Sequence, residues 1–441
     1  LALAAYLHRC SPDWNPPAVC NDKAVRVPRR ASAWITATAI LFIPGTSNAQ
    51  PWQLGPPESL LAPATPTGIR VGTLIALPQI GVDGRYDTNI FNSTEDKADD
   101  LVVVVDPSLT LNSDWARHAA SLWLAAEIRS YADNTGENST QLFGALSGRI
   151  DLGDRLTAAP AVSIARRIEG RGTFGDELTD EPISYVHKQA QFRLARTGGR
   201  LEVALTAQAA DYDYEDSSLN GVPIDLSYRD LGYYAGSARA DFRVSSRVGF
   251  FVSGTVDKFD YRLQTAQPRD SKGYSLLGGA TMRVSGLLEL EAAVGFVHQN
   301  FDDPLAKDFS GFDFHVAGKW TPYPRIAVAV EGRRSVERSP TIEAAGVIET
   351  RVAVGGQYAL GNRILLGLQA GYVSDDFRGV DRHDRRLTGE ATVEYRMSAA
   401  SAFAGVGYRK QWSSGVDGIP YSGASFRLGV KLHSPSRLFR G

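Results

Sequence analysis

From residue 73 to 433 apolar and polar positions alternate with a period of two, in runs of roughly ten to fifteen residues that each end in turn chemistry. Over 363–374, Ile364, Leu366, Leu368, Ala370 and Tyr372 fall on one side of an extended chain, and Arg363, Gly367, Gln369 and Gly371 on the other. Over 287–299, Leu288, Leu290, Ala292, Val294 and Phe296 oppose Glu289, Glu291, Ala293 and Gly295. Over 347–360, Ile348, Val352, Val354 and Tyr358 oppose Glu349, Arg351 and Gln357. No run of helical period interrupts this pattern, which predicts an all-β chain of successive antiparallel strands.

The connections alternate in length. Tight turns fall at 112–116, 151–154, 197–199, 245–246, 285–286, 322–324, 361–362 and 398–400. Longer polar connections fall at 87–98, 132–137, 171–182, 215–227, 263–271, 303–308, 339–345, 378–382 and 413–421. Sorting loops by parity has no purpose in a sandwich or propeller, but it is expected of a transmembrane antiparallel up-and-down β-barrel with short periplasmic turns and longer extracellular loops. The spacing predicts about 18 strands, within a range of about 16–18, and an even number leaves both chain ends on the periplasmic side.

Hydropathy by itself points elsewhere. Hydrophobic residues make up 43% of the 441 positions, the mean hydropathy is −0.19, and nothing after residue 49 approaches the ~18 consecutive apolar residues of a spanning helix. A barrel gives the same average, because lipid-facing and lumen-facing residues cancel in any window. The formal net charge of −2 lacks the basic excess of a nucleic-acid-binding protein, so no nucleic acid partner is expected.

The N-terminal region carries an address. Lys23, Arg26, Arg29 and Arg30 precede an apolar run at 31–44, and Ser47, Asn48 and Ala49 supply small residues before Gln50. This predicts a secretory signal peptide cleaved near Ala49, with 1–22 as an upstream extension. Both cysteines, Cys10 and Cys20, fall in this leader, so the mature chain has no thiol for a disulfide or metal site. Residues 50–72, with Pro51, Pro56, Pro57, Pro63 and Pro66, predict a periplasmic linker; 73–433 predict the barrel and 434–441 a C-terminal tail.

Charged residues of both signs recur opposite the lipid pattern: Glu127, Arg129, Arg167, Glu169, Arg239, Asp241, Arg243, Glu331, Arg333, Glu349, Arg351, Glu390, Glu394 and Arg396. Residues at i and i+2 on a strand share a face, so these are the lumen-lining candidates, able to form cross-strand ladders along a wet wall. Aromatic residues gather toward the loop-side strand ends, and Tyr131, Tyr212, Tyr214, Tyr261, Tyr372, Tyr408 and Trp412 are the candidates for an interfacial girdle.

Catalysis finds little footing. His118, His187, His298, His315, His383 and His433 are scattered, and although Asp302, Asp303, Asp381 and Asp384 lie close in sequence to two of them, no nucleophile-elbow serine accompanies them. The acidic run at 211–216 lacks the spacing and glycine of a calcium loop. No catalytic residue, metal site or cofactor is expected.

The segment 82–91 (VDGRYDTNIF), with Asp99, Asp100 and Leu101, then Asp106-Pro107-Ser108-Leu109-Thr110-Leu111 and 114–119 (DWARHA), resembles the opening strands of the Putative beta-barrel porin 2 family. The resemblance implies an integral protein of a Gram-negative outer membrane, in contact with lipid and lipopolysaccharide and inserted by the barrel-assembly machinery. It further implies a passive conduit that secretes an exopolysaccharide or capsular polysaccharide together with periplasmic polysaccharide-export proteins. A general solute porin or a structural barrel is the alternative within the membrane class, and an outer-membrane protease, lipase or lipid A modifier the alternative outside it.

Overall fold

The computed structural model describes residues 68–172, 179–263, 268–284, 286–304 and 306–434. The leader at 1–49, most of the linker and the tail beyond 434 lie outside the described residues.

Eighteen long strands form the body. In chain order they are β1 Leu74–Asp87, β2 Asp100–Ser113, β3 Ala119–Tyr131, β4 Ser139–Asp151, β5 Leu156–Ile168, β6 Ser184–Arg196, β7 Leu201–Tyr214, β8 Leu231–Arg243 and β9 Val248–Tyr261. They continue as β10 Ser271–Val284, β11 Leu288–Phe301, β12 Phe309–Tyr323, β13 Ile326–Glu337, β14 Gly346–Leu360, β15 Ile364–Arg378, β16 Arg382–Arg396, β17 Ala400–Gly415 and β18 Tyr421–His433. Every strand pairs antiparallel with its neighbours in sequence, and β1 closes on β18, with Gln79 opposite His433 and Asp87 opposite Ser425. Closure removes both sheet edges and satisfies the backbone internally, the condition for crossing lipid with strands.

The faces are inverted relative to a water-soluble protein. Leu101, Val103, Val252, Val256, Leu276 and Val294 are exposed, and Leu368 and Leu428 are 67% and 70% exposed. In water each such side chain would forfeit about 1.5–3 kcal/mol of burial, so a continuous outward band of them reads as a lipid-facing surface. Outward aromatics bracket the band. Tyr86, Tyr234, Tyr274, Phe312, Tyr372, Tyr408, Trp412 and Phe426 are exposed toward the long-loop end, and Phe192, Phe242, Phe250, Trp320, Tyr323, Tyr358 and Tyr395 toward the short-turn end.

Three expectations change. Ile69–Val71, inside the expected linker, is a short strand that folds back on Leu74–Ala76 through Gly72 at φ 59°, a left-handed turn open to glycine. The connection at 379–381 is as short as the opposite turn at 361–363, because β15 and β16 carry their pairing through Asp376 and His383. Ile348 keeps outward parity but is 1% exposed, packed with Val297, Phe301, Phe309 and Ala345, since at that height the outer connections cover the wall.

Candidate functional site

The inner wall is a ladder of charges set by strand parity. Glu127, Arg129, Arg167, Arg239, Asp241, Arg243, Glu331, Arg333, Glu349, Arg351, Glu390, Glu394 and Arg396 lie on the face opposite the exposed apolar positions of their strands, and Glu169 lies one residue past β5. Many pair within their own strand, as i and i+2 geometry allows: Glu127 with Arg129 at 2.6 Å, Arg239 with Asp241 at 2.8 Å, Glu349 with Arg351 at 2.6 Å, and Glu394 with Arg396 at 3.2 Å. Others bridge strands. Arg239 reaches Glu291 at 2.7 Å, which lies 3.6 Å from His315, and Arg333 approaches Glu349 at 3.7 Å. Arg243 pairs with Glu202, and Glu390 with Arg427.

Several inward charges escaped the sequence reading. Asp87 accepts two hydrogen bonds from Arg409 at 2.8 and 2.9 Å, Arg382 pairs with Asp384 at 2.9 Å, and Arg386 pairs with Asp375. The available signal was parity: Asp375 and Arg386 continue the inward rows of Gln369 and Glu390 on β15 and β16.

The outer mouth is crossed by its own connections. Glu169, after β5, receives Arg229 at 2.6 Å and the Tyr214 hydroxyl at 2.9 Å, and Arg229 is 1% and Glu169 5% exposed. Arg338, which follows β13, donates to the Tyr214 hydroxyl and places its guanidinium 5.3, 4.6 and 5.5 Å from the ring centroids of Tyr185, Tyr212 and Tyr214. β13 stands six strands from β7 around the wall, so this contact is made only by reaching across the barrel. Next to it, the Ser339 amide donates to the Tyr261 hydroxyl at 2.9 Å, and Arg269 lies over the Tyr261 ring and donates to the Thr341 carbonyl at 3.1 Å.

A second tie lies beside the β1/β18 seam. Asn92 donates to the Arg171 carbonyl at 2.7 Å and accepts from Arg409 at 2.6 Å, while Arg171 holds Glu137 at 2.6 Å. The connection at 169–183 also anchors an outer ribbon, Ser217–Leu219 paired with Val222–Ile224, because Asp180 accepts from the Asn220 and Gly221 amides at 2.9 Å and from the Ser218 hydroxyl at 2.8 Å. Those donors, the Gly221 amide foremost, hold the Asp180 carboxyl below its usual range. Burial instead lifts the carboxyl of Asp230, on the same outer rim, above it.

The expected girdle divides in two. Tyr372, Tyr408 and Trp412 are outward and exposed. Tyr212, Tyr214 and Tyr261 are not girdle residues: they point inward, 2%, 6% and 3% exposed, in one cluster with Tyr185, Leu231, Tyr233 and Phe259. Tyr131 also points inward, sharing the face of Glu127 and Arg129 and flanked by Arg129. The cause is height: above the lipid the outside of a strand meets water and its inside meets the folded connections, so the apolar side chain turns in.

His298 is bound to Ser310 at 2.7 Å and His383 to Arg385 at 2.9 Å. Asp211 and Asp213 are drawn to Arg262, and among the described residues no group of three or more His, Cys, Asp or Glu side chains is placed to hold a metal ion.

A family model described as Putative beta-barrel porin 2 matches residues 62–434. None of the curated proteins matches the chain. Among solved structures, it is similar to OccK2 (OpdF) of Pseudomonas aeruginosa, with 10% identity, a TM-score of 0.44 and coverage of 81% of this chain and 98% of that one. It is also similar to the outer membrane protein OpdK of the same organism, at 13% identity, a TM-score of 0.41 and coverage of 81% and 98%. A mutant of the ferric enterobactin receptor PfeA of Pseudomonas aeruginosa aligns with 7% identity, a TM-score of 0.41 and coverage of 81% and 80%.

Proposed function

This chain belongs to the Putative beta-barrel porin 2 family, and on that premise we propose that it is an outer-membrane conduit that passes an exopolysaccharide or capsular polysaccharide outward. The observation that carries this reading is the inner wall: among the described residues, charges of both signs are paired along and between the strands. A barrel of 16–18 strands leaves room for an aqueous channel. A balanced, hydrated wall gives a long hydrophilic polymer hydrogen-bonding partners all the way without a trap for one charge. Periplasmic export proteins would deliver the polymer to the short-turn end, and the connections that cross the mouth would swing aside to release it. A signal peptide ending near Ala49 supplies the route to the outer membrane.

A general solute porin is the second reading, favoured by the same balance of charge. Recording the mature chain in a planar bilayer separates the two. Export predicts brief, infrequent openings that become large and sustained when the 338–345 connection is released by substitution, with current then interrupted by long polysaccharide added on the short-turn side. Sustained openings in the unmodified chain, or a released channel that long polymers leave unblocked, would favour the solute porin. A barrel silent in both forms would overturn the conduit altogether.

A further inference from the structure

One strip of the inner wall departs from the charge ladder. Trp123 on β3 shares the inward face of Ser121, Glu127 and Arg129, yet the residue is 42% exposed, so an indole stands open on the lumen wall, unlike the inward Phe251 and Phe403, which lie under Arg239 and Arg427. Its ring stacks beside Phe143 of β4 with centroids 5.9 Å apart and planes 29° apart, and the Arg167 guanidinium of β5 lies 5.5 Å from the Phe143 centroid. Trp123 is fifth from the short-turn end of β3, Phe143 ninth from that end of β4 and Arg167 twelfth from that end of β5. Indole, phenyl and guanidinium therefore climb the wall in sequence from the inner end toward the outer closure.

What surrounds the strip keeps it accessible. The inward residue paired with Trp123 on β4 is Ala145, followed by Ser147, and facing these on β5 are Ser163 and Ala161, so no bulky neighbour covers the indole from that side. Beside it, the Glu127 carboxylate accepts from Gln141 at 2.7 Å and from Arg129 at 2.6 Å, presenting acceptors and donors in one row. Arg167 and, on β6, Arg193 have no carboxylate within ion-pair distance among the described residues, and Arg167 Nε is buried with no hydrogen-bond partner. On a wall whose other arginines are mostly paired, these are cations in reserve.

Open aromatic faces flanked by a few convergent polar groups suit a flat ring with an apolar face and polar edges, and unpaired guanidinium forks suit carboxylates. We propose that Trp123, Phe143 and Arg167 form a binding track for an acidic polysaccharide, in which a pyranose ring stacks on the exposed Trp123 indole, Phe143 backs that indole, and a uronate carboxylate pairs with Arg167. The track deepens the conduit reading and rests on it, naming the chemical class of the polymer.

The test is calorimetric titration of the full mature chain in detergent with an oligogalacturonate and, separately, a neutral dextran oligomer of equal length, folding being checked by heat-modifiable gel mobility. The expected result is binding of the acidic oligomer that weakens about tenfold or more in Trp123→Ala, is retained in Trp123→Phe, and loses its preference over dextran in Arg167→Gln. Unchanged affinity in folded Trp123→Ala would overturn the track, as would dextran binding as tightly as oligogalacturonate or neither oligomer binding. These failures leave the conduit standing, because passage of polymer through the released channel is read independently in the bilayer.

Discussion

The Arg338 guanidinium lies 4.6 Å from the ring centroid of Tyr212, although the two residues come from walls six strands apart. A desolvated cation over an aromatic face is worth about 2 kcal/mol or more, and here three tyrosine rings share one cation. Arg338→Ala is therefore expected to raise the open fraction of the channel severalfold in single-channel recordings. Arg338→Lys, which keeps the charge but not the planar fork, should fall between. Openings indistinguishable from the unmodified chain would show that this contact does not hold the mouth.

The Glu169–Arg229 pair is buried on both sides. Removing one partner strands a charge out of water at a cost of about 3–5 kcal/mol, whereas replacing both with apolar groups costs far less. Glu169→Gln should lower the thermal midpoint of the outer closure, followed by limited proteolysis of the connections on heating, and Glu169→Leu combined with Arg229→Met should recover part of it, since Arg338, 4.0 Å from Glu169, still loses its carboxylate. A single variant as resistant as the parent would contradict the burial.

Val354, mid-strand on β14, is exposed on the outward face, while its neighbour Ala353 is 3% exposed on the inward face. Val354→Arg should destabilise the barrel in lipid vesicles by about 2–4 kcal/mol, the cost of a guanidinium near the bilayer midplane. Gln369→Arg, inward on β15 beside the Glu390 carboxylate, should cost much less. Denaturant unfolding in vesicles reads both, and equal penalties would mean that the faces are assigned the wrong way round.

Asp180 holds the outer ribbon through three donors that bond its ionised form more strongly than its neutral one. Because its folded pKa is lowered, its contribution is complete above the ordinary carboxylate range and is lost as pH falls through the lower folded value. A nitroxide attached at Val222→Cys should stay ordered at neutral pH and become mobile in acid, and Asp180→Asn should be mobile at both. Mobility that does not change with pH would detach the ribbon from this carboxyl.

The period-two pattern made the strands and their faces legible because each strand had to satisfy lipid on one side and a wet lumen on the other. Leu366, Leu368 and Tyr372 stand outward and Gln369 inward, as the alternation requires. The pattern misleads where that division ends. On β7, Tyr212 and Tyr214 alternate with Asp211 and Asp213, and the acidic pair faces outward to Arg262 while the tyrosines face in. Outward acids are the signal that the strand has risen above the lipid, and they were present in the sequence. Trp123 was missed for the opposite reason: an aromatic on a polar face looks like ordinary strand composition until Phe143 and Arg167 arrive beside it from the next two strands.

The sequence by itself determined that the chain alternates, crosses an even number of times and lines its polar face with both signs of charge, because those properties are local, repeating every two residues or every hairpin. Only the tertiary structure decided that Arg338 meets Tyr212, that Glu169 meets Arg229 and that the outer mouth is crossed by its own connections. Those contacts join segments far apart in sequence, and their geometry is fixed by closure of β1 on β18 and by the staggered heights of the strands, which no local pattern encodes.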